Sequence, residues 1–147
     1  MDRPYILLVE DDPDDEALAL RAFKRSDNEV VVVGDGVKAL DYMLARGEHS
    51  GSEHFVMPAV ILLDLKLPKV DGLEVLEVLR SDPRTKTVPI VVFTSSKEEQ
   101  DLVTSYNLGV NSYIRKPVDF DQFAKALGEL GHYWLFLNEP PPLGGRR

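Results

Sequence analysis

The chain has 147 residues, 44% of them apolar and 29% charged, with a formal net charge of −8 and no cysteine. That length suits one domain with a sizeable core and is short for two. The acidic balance argues against binding a nucleic-acid backbone, and the lack of cysteine excludes disulfides, thiolate metal sites and cysteine nucleophiles.

Met1-Asp2-Arg3-Pro4 opens directly into an apolar strand, Tyr5–Val9. This run is too short for a signal-peptide core or a membrane span, so a cytoplasmic protein without membrane contact is expected. Asp12-Pro13-Asp14-Asp15-Glu16 then starts a helix: Asp12 can cap it, Pro13 suits the first position, and the acids favour its positive end. This helix is expected to turn Ala17, Leu20 and Phe23 inward and to end near Ser26. Val30–Val33 reads as a short strand, and Gly34-Asp35-Gly36 opens a helix that runs to about Gly47.

The stretch from Glu48 to Pro58 has no periodicity and reads as a surface loop, long for a compact α/β unit. Val60–Leu63 is a strand rich in Val, Ile and Leu, as expected of one buried on both faces of a parallel sheet. It ends in Asp64. A helix follows over Leu73–Arg80, then a strand Ile90–Phe93, then Thr94-Ser95-Ser96 and an acidic helix from about Lys97 to Asn107. Ser112–Arg115 is the fifth strand, and Lys116-Pro117 leads into a helix from about Phe120 that Gly131 is expected to interrupt. The folded domain is placed at 1–137, and a Pro-rich tail at 138–147 is expected to be extended or mobile. Strict β-α alternation implies a doubly wound, five-stranded parallel sheet with helices on both faces and right-handed crossovers.

In such a sheet the carboxyl ends of the strands point one way and gather their side chains into one crevice. Here they bring Glu10, Asp11, Asp64, Thr94 and Lys116. Three carboxylates repel one another unless a hard cation sits among them, and Mg²⁺ prefers carboxylate and carbonyl oxygens. A nucleophilic Asp, a screening ion, a Thr hydroxyl and a Lys ammonium are what phosphoryl transfer to a carboxylate requires. Asp12, Asp14, Asp15 and Glu16 read instead as capping and dipole residues.

Leu8-Val9-Glu10-Asp11-Asp12, Asp64-Leu65-Lys66-Leu67-Pro68-Lys69-Val70-Asp71-Gly72, Phe93-Thr94-Ser95-Ser96 and Tyr113-Ile114-Arg115-Lys116-Pro117 together resemble the receiver domains of two-component response regulators. The resemblance spans roughly residues 5 to 131. It implies a flavodoxin-like strand order 2-1-3-4-5 and Asp64 as phosphoacceptor for a histidine kinase. It also implies a Mg²⁺ site from Glu10, Asp11, Asp64 and the Lys66 backbone carbonyl. Thr94 and Lys116 would bind the phosphoryl group, Tyr113 would be the switch aromatic, and Lys116–Pro117 would be a cis peptide. Lys66 and Ser96 are the positions expected to tune the lifetime of the aspartyl phosphate.

The long loop, Tyr133-Trp134 and the Pro-rich tail resemble small stand-alone regulators that partner bacterial phytochromes. A sensor histidine kinase, by the narrower resemblance a bacteriophytochrome, is the implied partner. A histidine phosphotransfer protein would be one if the chain shuttles phosphate within a relay. Because the chain stops soon after the receiver, a protein contact is the expected output and an enzymatic domain is not. Tyr133, Trp134 and Phe136 either cover the sheet edge or form a homodimer face. His49, His54 and His132 lack ligand spacing.

A Mg²⁺-dependent phosphatase with an aspartyl nucleophile is the competing enzyme reading. It calls for a second Asp two residues after the first, where this chain has Lys66. A flavodoxin-like cofactor carrier would need a phosphate-cradling loop after the first strand, where Glu10-Asp11-Asp12 would repel phosphate.

Overall fold

The computed structural model describes residues 3–47 and 55–142. Its elements follow in chain order: β1 Tyr5–Val9, α1 Pro13–Arg25, β2 Glu29–Val33, α2 Gly36–Leu44, β3 Val60–Leu63, α3 Gly72–Ser81, β4 Ile90–Thr94, α4 Glu99–Asn107, β5 Ser112–Arg115 and α5 Phe120–His132. A π-helical turn over Tyr133–Leu137 ends the helical part of the chain. The strands form one parallel sheet in the order β2-β1-β3-β4-β5, as the doubly wound reading expects.

Period-2 alternation divides the core between two faces. Leu7, Val9, Ile61, Leu63, Ile90 and Val92 point toward α2 and α3, where they meet Leu40, Met43, Val75, Leu76 and Leu79. Ile6, Leu8, Val60, Leu62, Val91 and Phe93 point the other way onto Ala19, Ala22, Phe23, Phe123 and Leu127 of α1 and α5. Strands β1, β3 and β4 are therefore apolar at nearly every position, because neither face meets water.

The inward face of α1 consists of Ala19, Ala22 and Phe23 rather than the expected Ala17, Leu20 and Phe23. Ala17 is exposed and Leu18 packs on the core. Apolar residues run almost continuously from Ala17 to Leu20, so periodicity alone does not set the helix rotation. Asp12 caps α1 through Asp14 and Asp15 N–H groups, with Pro13 at the first helical position, as expected.

Gly131 does not interrupt α5. The helix passes through it because an added Cβ would lie 2.3 Å from the buried Asn28 amide nitrogen, so glycine serves close packing there. The expected surface loop differs too. Residues 48–54, with His49 and His54, lie outside the described residues. Phe55 and Met57 pack on the α2–α3 core, Phe55 edge-on to Tyr42 at 5.5 Å. Residues 139–142 are in neither helix nor strand, and Pro140–Pro142 line an apolar groove of about 260 Å³ with Pro4, Pro58 and Pro89.

Candidate aspartyl site at the carboxyl end of the sheet

Each site residue stands where a strand ends. β1 delivers Glu10 and Asp11, β3 delivers Asp64, β4 ends on Thr94, and β5 is followed by Lys116. Because β1, β3, β4 and β5 are adjacent and parallel, positions separated by up to 106 residues converge. The Asp64 carboxylate is the meeting point. Thr94 Oγ1 donates to its Oδ1 at 2.8 Å, the Lys66 N–H donates to the same oxygen at 3.3 Å, and Lys116 Nζ donates to Oδ2 at 3.0 Å.

Gly72 closes one wall of the site. Its N–H donates to the Leu65 carbonyl at 2.9 Å, and a Cβ would fall 2.4 Å from the Asp64 carbonyl oxygen. Only glycine lets the start of α3 press on the backbone of the strand end that carries Asp64.

Lys116 sits among acids. Its side chain is 6% exposed, and Nζ lies 2.7 Å from Glu10 Oε1 and 2.7 Å from Asp15 Oδ2 besides Asp64. Burial alone would lower its pKa. The hydrogen bonds to Asp15 and Glu10 and the charge of Asp64 outweigh that and raise it, so the ammonium persists. Glu10 is pushed up to about 7, chiefly by burial, with Asp64 adding to the rise and the Lys116 hydrogen bond opposing it. One ammonium does not offset this many buried carboxylates, and the most enclosed of them holds a proton near neutrality.

One carboxylate oxygen from each of Glu10, Asp11 and Asp64 lies within 4.8 Å of the others. An all-oxygen, carboxylate-rich set of this size suits a hard divalent cation such as Mg²⁺, and the raised Glu10 pKa marks charge that such an ion would neutralise.

Asp15 was read from the sequence as a dipole residue, and the structure gives it a second role as a direct partner of Lys116. Its signal in the sequence was its place one helical turn after the acidic strand end. The Lys116–Pro117 peptide is trans, since no cis peptide occurs among the described residues. Trans is the favoured state of an X–Pro bond by about 0.5–1 kcal/mol, and Lys116 reaches all three acids from it.

Tyr113 is half-buried at the edge of the α2–α3 core, and its phenolic oxygen is enclosed without a hydrogen-bond partner. Burial raises its pKa, with the Asp101 carboxylate adding to the shift. Near it, Ser96 Oγ donates to Asp101 Oδ2 at 2.7 Å and accepts from the Glu98 N–H at 3.3 Å. Lys66 Nζ lies 3.6 Å from the same Asp101 oxygen. Sequence reasoning singled out Ser96 and Lys66 and missed Asp101, which joins them.

At the far end of the chain Trp134 and Leu135 pack on the α1–α5 core. Tyr133, edge-on to Trp134 at 4.9 Å, is 47% exposed, and Phe136 is 60% exposed. His132 is exposed and lies beside Phe136, with ring centroids 5.8 Å apart.

The chain is similar to known proteins in sequence and fold. Residues 6–128 match the family described as response regulator receiver domain. Response regulator Rcp1 of Synechocystis sp. is 39% identical over 132 residues, which is 88% of each chain. Its Mn²⁺-bound structure aligns with a TM-score of 0.86 at 37% identity, covering 95% of this chain and 99% of that one. The phosphorylated cyanobacterial phytochrome response regulator RcpA aligns with a TM-score of 0.88 at 38% identity, over 96% of this chain and all of the other (100%). The bacteriophytochrome response regulator RtBRR is 53% identical, with a TM-score of 0.74 over 99% of this chain and 88% of its own. With most of its length matched and its carboxylates gathered at the end of a 2-1-3-4-5 sheet, the chain belongs to the response regulator receiver family.

Proposed function

We propose that this receiver is phosphorylated on Asp64 by a sensor histidine kinase and thereby switches a protein-interaction face. The observation that carries the reading is the Asp64 carboxylate itself, buried yet held from separate elements by Thr94, Lys66 and Lys116. Each of these donors can also serve phosphoryl oxygens.

In the transfer step an Asp64 oxygen attacks the phosphorus of a phosphohistidine. The P–N bond breaks, its electron pair stays on the imidazole nitrogen, and a P–O bond to Asp64 takes its place. Glu10, Asp11, Asp64 and the Lys66 carbonyl would hold Mg²⁺, which when bound would supply the positive charge that an anionic phosphoryl group needs to approach an acidic cluster. Lys116 keeps its ammonium and, already bonded to Asp64 Oδ2, is placed to bind a phosphoryl oxygen. Once Asp64 carries the phosphoryl group as an acyl phosphate, Thr94 Oγ1 loses a carboxylate acceptor at Oδ1 and gains a phosphoryl one. Tyr113, with its unpartnered hydroxyl, follows the space that Thr94 vacates. The result is a shift between two arrangements of α4 and β5.

The kinase is proposed to be a bacteriophytochrome, in keeping with the relatives RcpA and RtBRR. Onward transfer to a histidine phosphotransfer protein would make the chain a phosphate shuttle. The unit at 1–137 is taken as the receiver and 138–147 as its tail. Tyr133 and Phe136 form the exposed part of an apolar patch that a second copy would cover, with the partly buried Trp134 at its root. No helix among the described residues is long and apolar enough to cross a membrane, which agrees with a cytoplasmic place of action.

Acetyl phosphate with Mg²⁺ should add one phosphoryl mass to the wild type and none to Asp64→Asn. Equal labelling of the two proteins would refute the assignment. Light scattering with and without beryllofluoride, a phosphoryl mimic, tests whether the Tyr133–Phe136 patch pairs on modification. A scattering mass that is the same in both conditions would rule that out.

A further inference from the structure

Helix α4 is attached to the body of the protein in an unusual way. The residues it buries are Asp101 and Ser105, both polar, while Val103 and Tyr106 face solvent at 47% and 52% exposure. Its N-cap residue Glu98 makes no side-chain cap. In its place the Ser96 hydroxyl accepts from the Glu98 N–H and donates to Asp101. The same Asp101 oxygen draws in the Lys66 ammonium from the β3–α3 loop. An element anchored by polar contacts rather than by an apolar face is held loosely and moves readily.

Ser96 and Lys66 are also tied to the aspartyl site. Ser96 N–H donates to Thr94 Oγ1 at 3.3 Å, and Lys66 N–H donates to Asp64 Oδ1. Both residues thus join the aspartyl site through their backbone N–H groups, while their side chains, a hydroxyl and an ammonium, are held by Asp101. We propose that Asp101 is a positioning residue that sets the lifetime of the aspartyl phosphate by holding the Lys66 ammonium, and with it Ser96, on α4 and away from the phosphoryl oxygens. This rests on Asp64 being the phosphoacceptor.

The step affected is hydrolysis. Water attacks the phosphorus, the P–O bond to Asp64 breaks, its electron pair returns to the carboxylate, and the proton of the water leaves to solvent with inorganic phosphate as product. A Lys66 ammonium released from Asp101 binds a phosphoryl oxygen and obstructs the approaching water, so hydrolysis slows. Asp101→Asn is the informative change, because an amide oxygen still accepts from Ser96 while the charge that attracts Lys66 is gone.

The test follows loss of the phosphoryl mass after labelling with acetyl phosphate and Mg²⁺ and removal of the donor. It compares wild type, Asp101→Asn, Lys66→Ala and the double variant. Asp101→Asn should lengthen the half-life roughly threefold to tenfold, the rate equivalent of about one net hydrogen bond. The lengthening should vanish when Lys66 is already Ala. A half-life unchanged or shortened in Asp101→Asn overturns the proposal, as does an equal lengthening in the Lys66→Ala background. A purely structural Asp101 would lower the melting temperature and leave the half-life where it was. A wild type that takes no label would refute the phosphoacceptor reading itself, a result distinct from a labelled wild type with an unresponsive Asp101→Asn.

Discussion

The two ends of the sheet each hold a cation, and they use it in opposite ways. At the carboxyl end Lys116 is enclosed by Glu10, Asp15 and Asp64. At the amino end Arg80, from the last turn of α3, donates to the carbonyls of Gly109, Lys86 and Val88 and to the side-chain oxygen of Asn111. Asn111 in turn accepts from the Ile90 N–H, so this knot fixes the starts of β4 and β5. Arg80 is surrounded by dipoles that the fold itself supplies, and no charge needs balancing. Lys116 is surrounded by charges that another cation or a phosphoryl group can rearrange. One end is built to stay, the other to change partners.

Substitutions that remove each cation should break this comparison if it is wrong. Arg80→Met strips charge-assisted donors from several carbonyls at once and should cost about 4 kcal/mol of unfolding free energy. Mg²⁺ should not restore it. Lys116→Met leaves buried carboxylates without their counter-charge, for a loss of about 3 kcal/mol in metal-free buffer. Here millimolar Mg²⁺ should recover more than half of the loss, because the ion takes over the balancing. Urea titrations of both variants with and without Mg²⁺ decide the matter, and identical metal responses would abolish the distinction.

The smallest effect is the dependence on pH. A carboxyl raised to about 7 in the fold, against an ordinary value near 4.5, favours the folded state in its protonated form. Its contribution in metal-free protein is intact below about 4.5 and is lost as the pH rises through about 7. Mg²⁺ must displace that proton, so its affinity should fall as the pH drops below 7, approaching about tenfold per unit for one proton. Glu10→Gln should flatten this profile. Isothermal titration across pH 5.5–8.5 reads both, and an equally steep profile in Glu10→Gln would assign the proton to another group.

Much of the carboxyl end was legible because parallel topology turns strand ends into neighbours. Once Tyr5–Val9, Val60–Leu63, Ile90–Thr94 and Ser112–Arg115 are strands of one sheet, Glu10, Asp64, Thr94 and Lys116 have little choice but to meet. Residues carried on helices were harder. Asp15 serves the helix dipole whether or not it touches Lys116, and only the rotation of α1 distinguishes the two. That rotation was misjudged, since apolar residues nearly fill Ala17–Leu20. Asp101 was missed for a similar reason: an acid in the first turn of an acidic helix looks solvated, yet it is among the few residues α4 buries. Arg80 carries no signal in the sequence beyond ending its helix, because most of its acceptors are backbone atoms of segments that no side-chain pattern announces. Gly131 looked like a break because the amide of Asn28, which lies opposite it, is remote in sequence.

The contact between Gly72 and Asp64 has a consequence for the path of the signal. With no side chain between them, the end of β3 and the head of α3 are in direct backbone contact, which leaves little room for that wall of the site to shift. The opposite wall, from Thr94 through Ser96 to Asp101, is held by single hydrogen bonds. The site therefore resembles a vice with one fixed jaw. On the proposed phosphorylation of Asp64, displacement would be delivered toward α4 and β5, with α3 as the fixed reference.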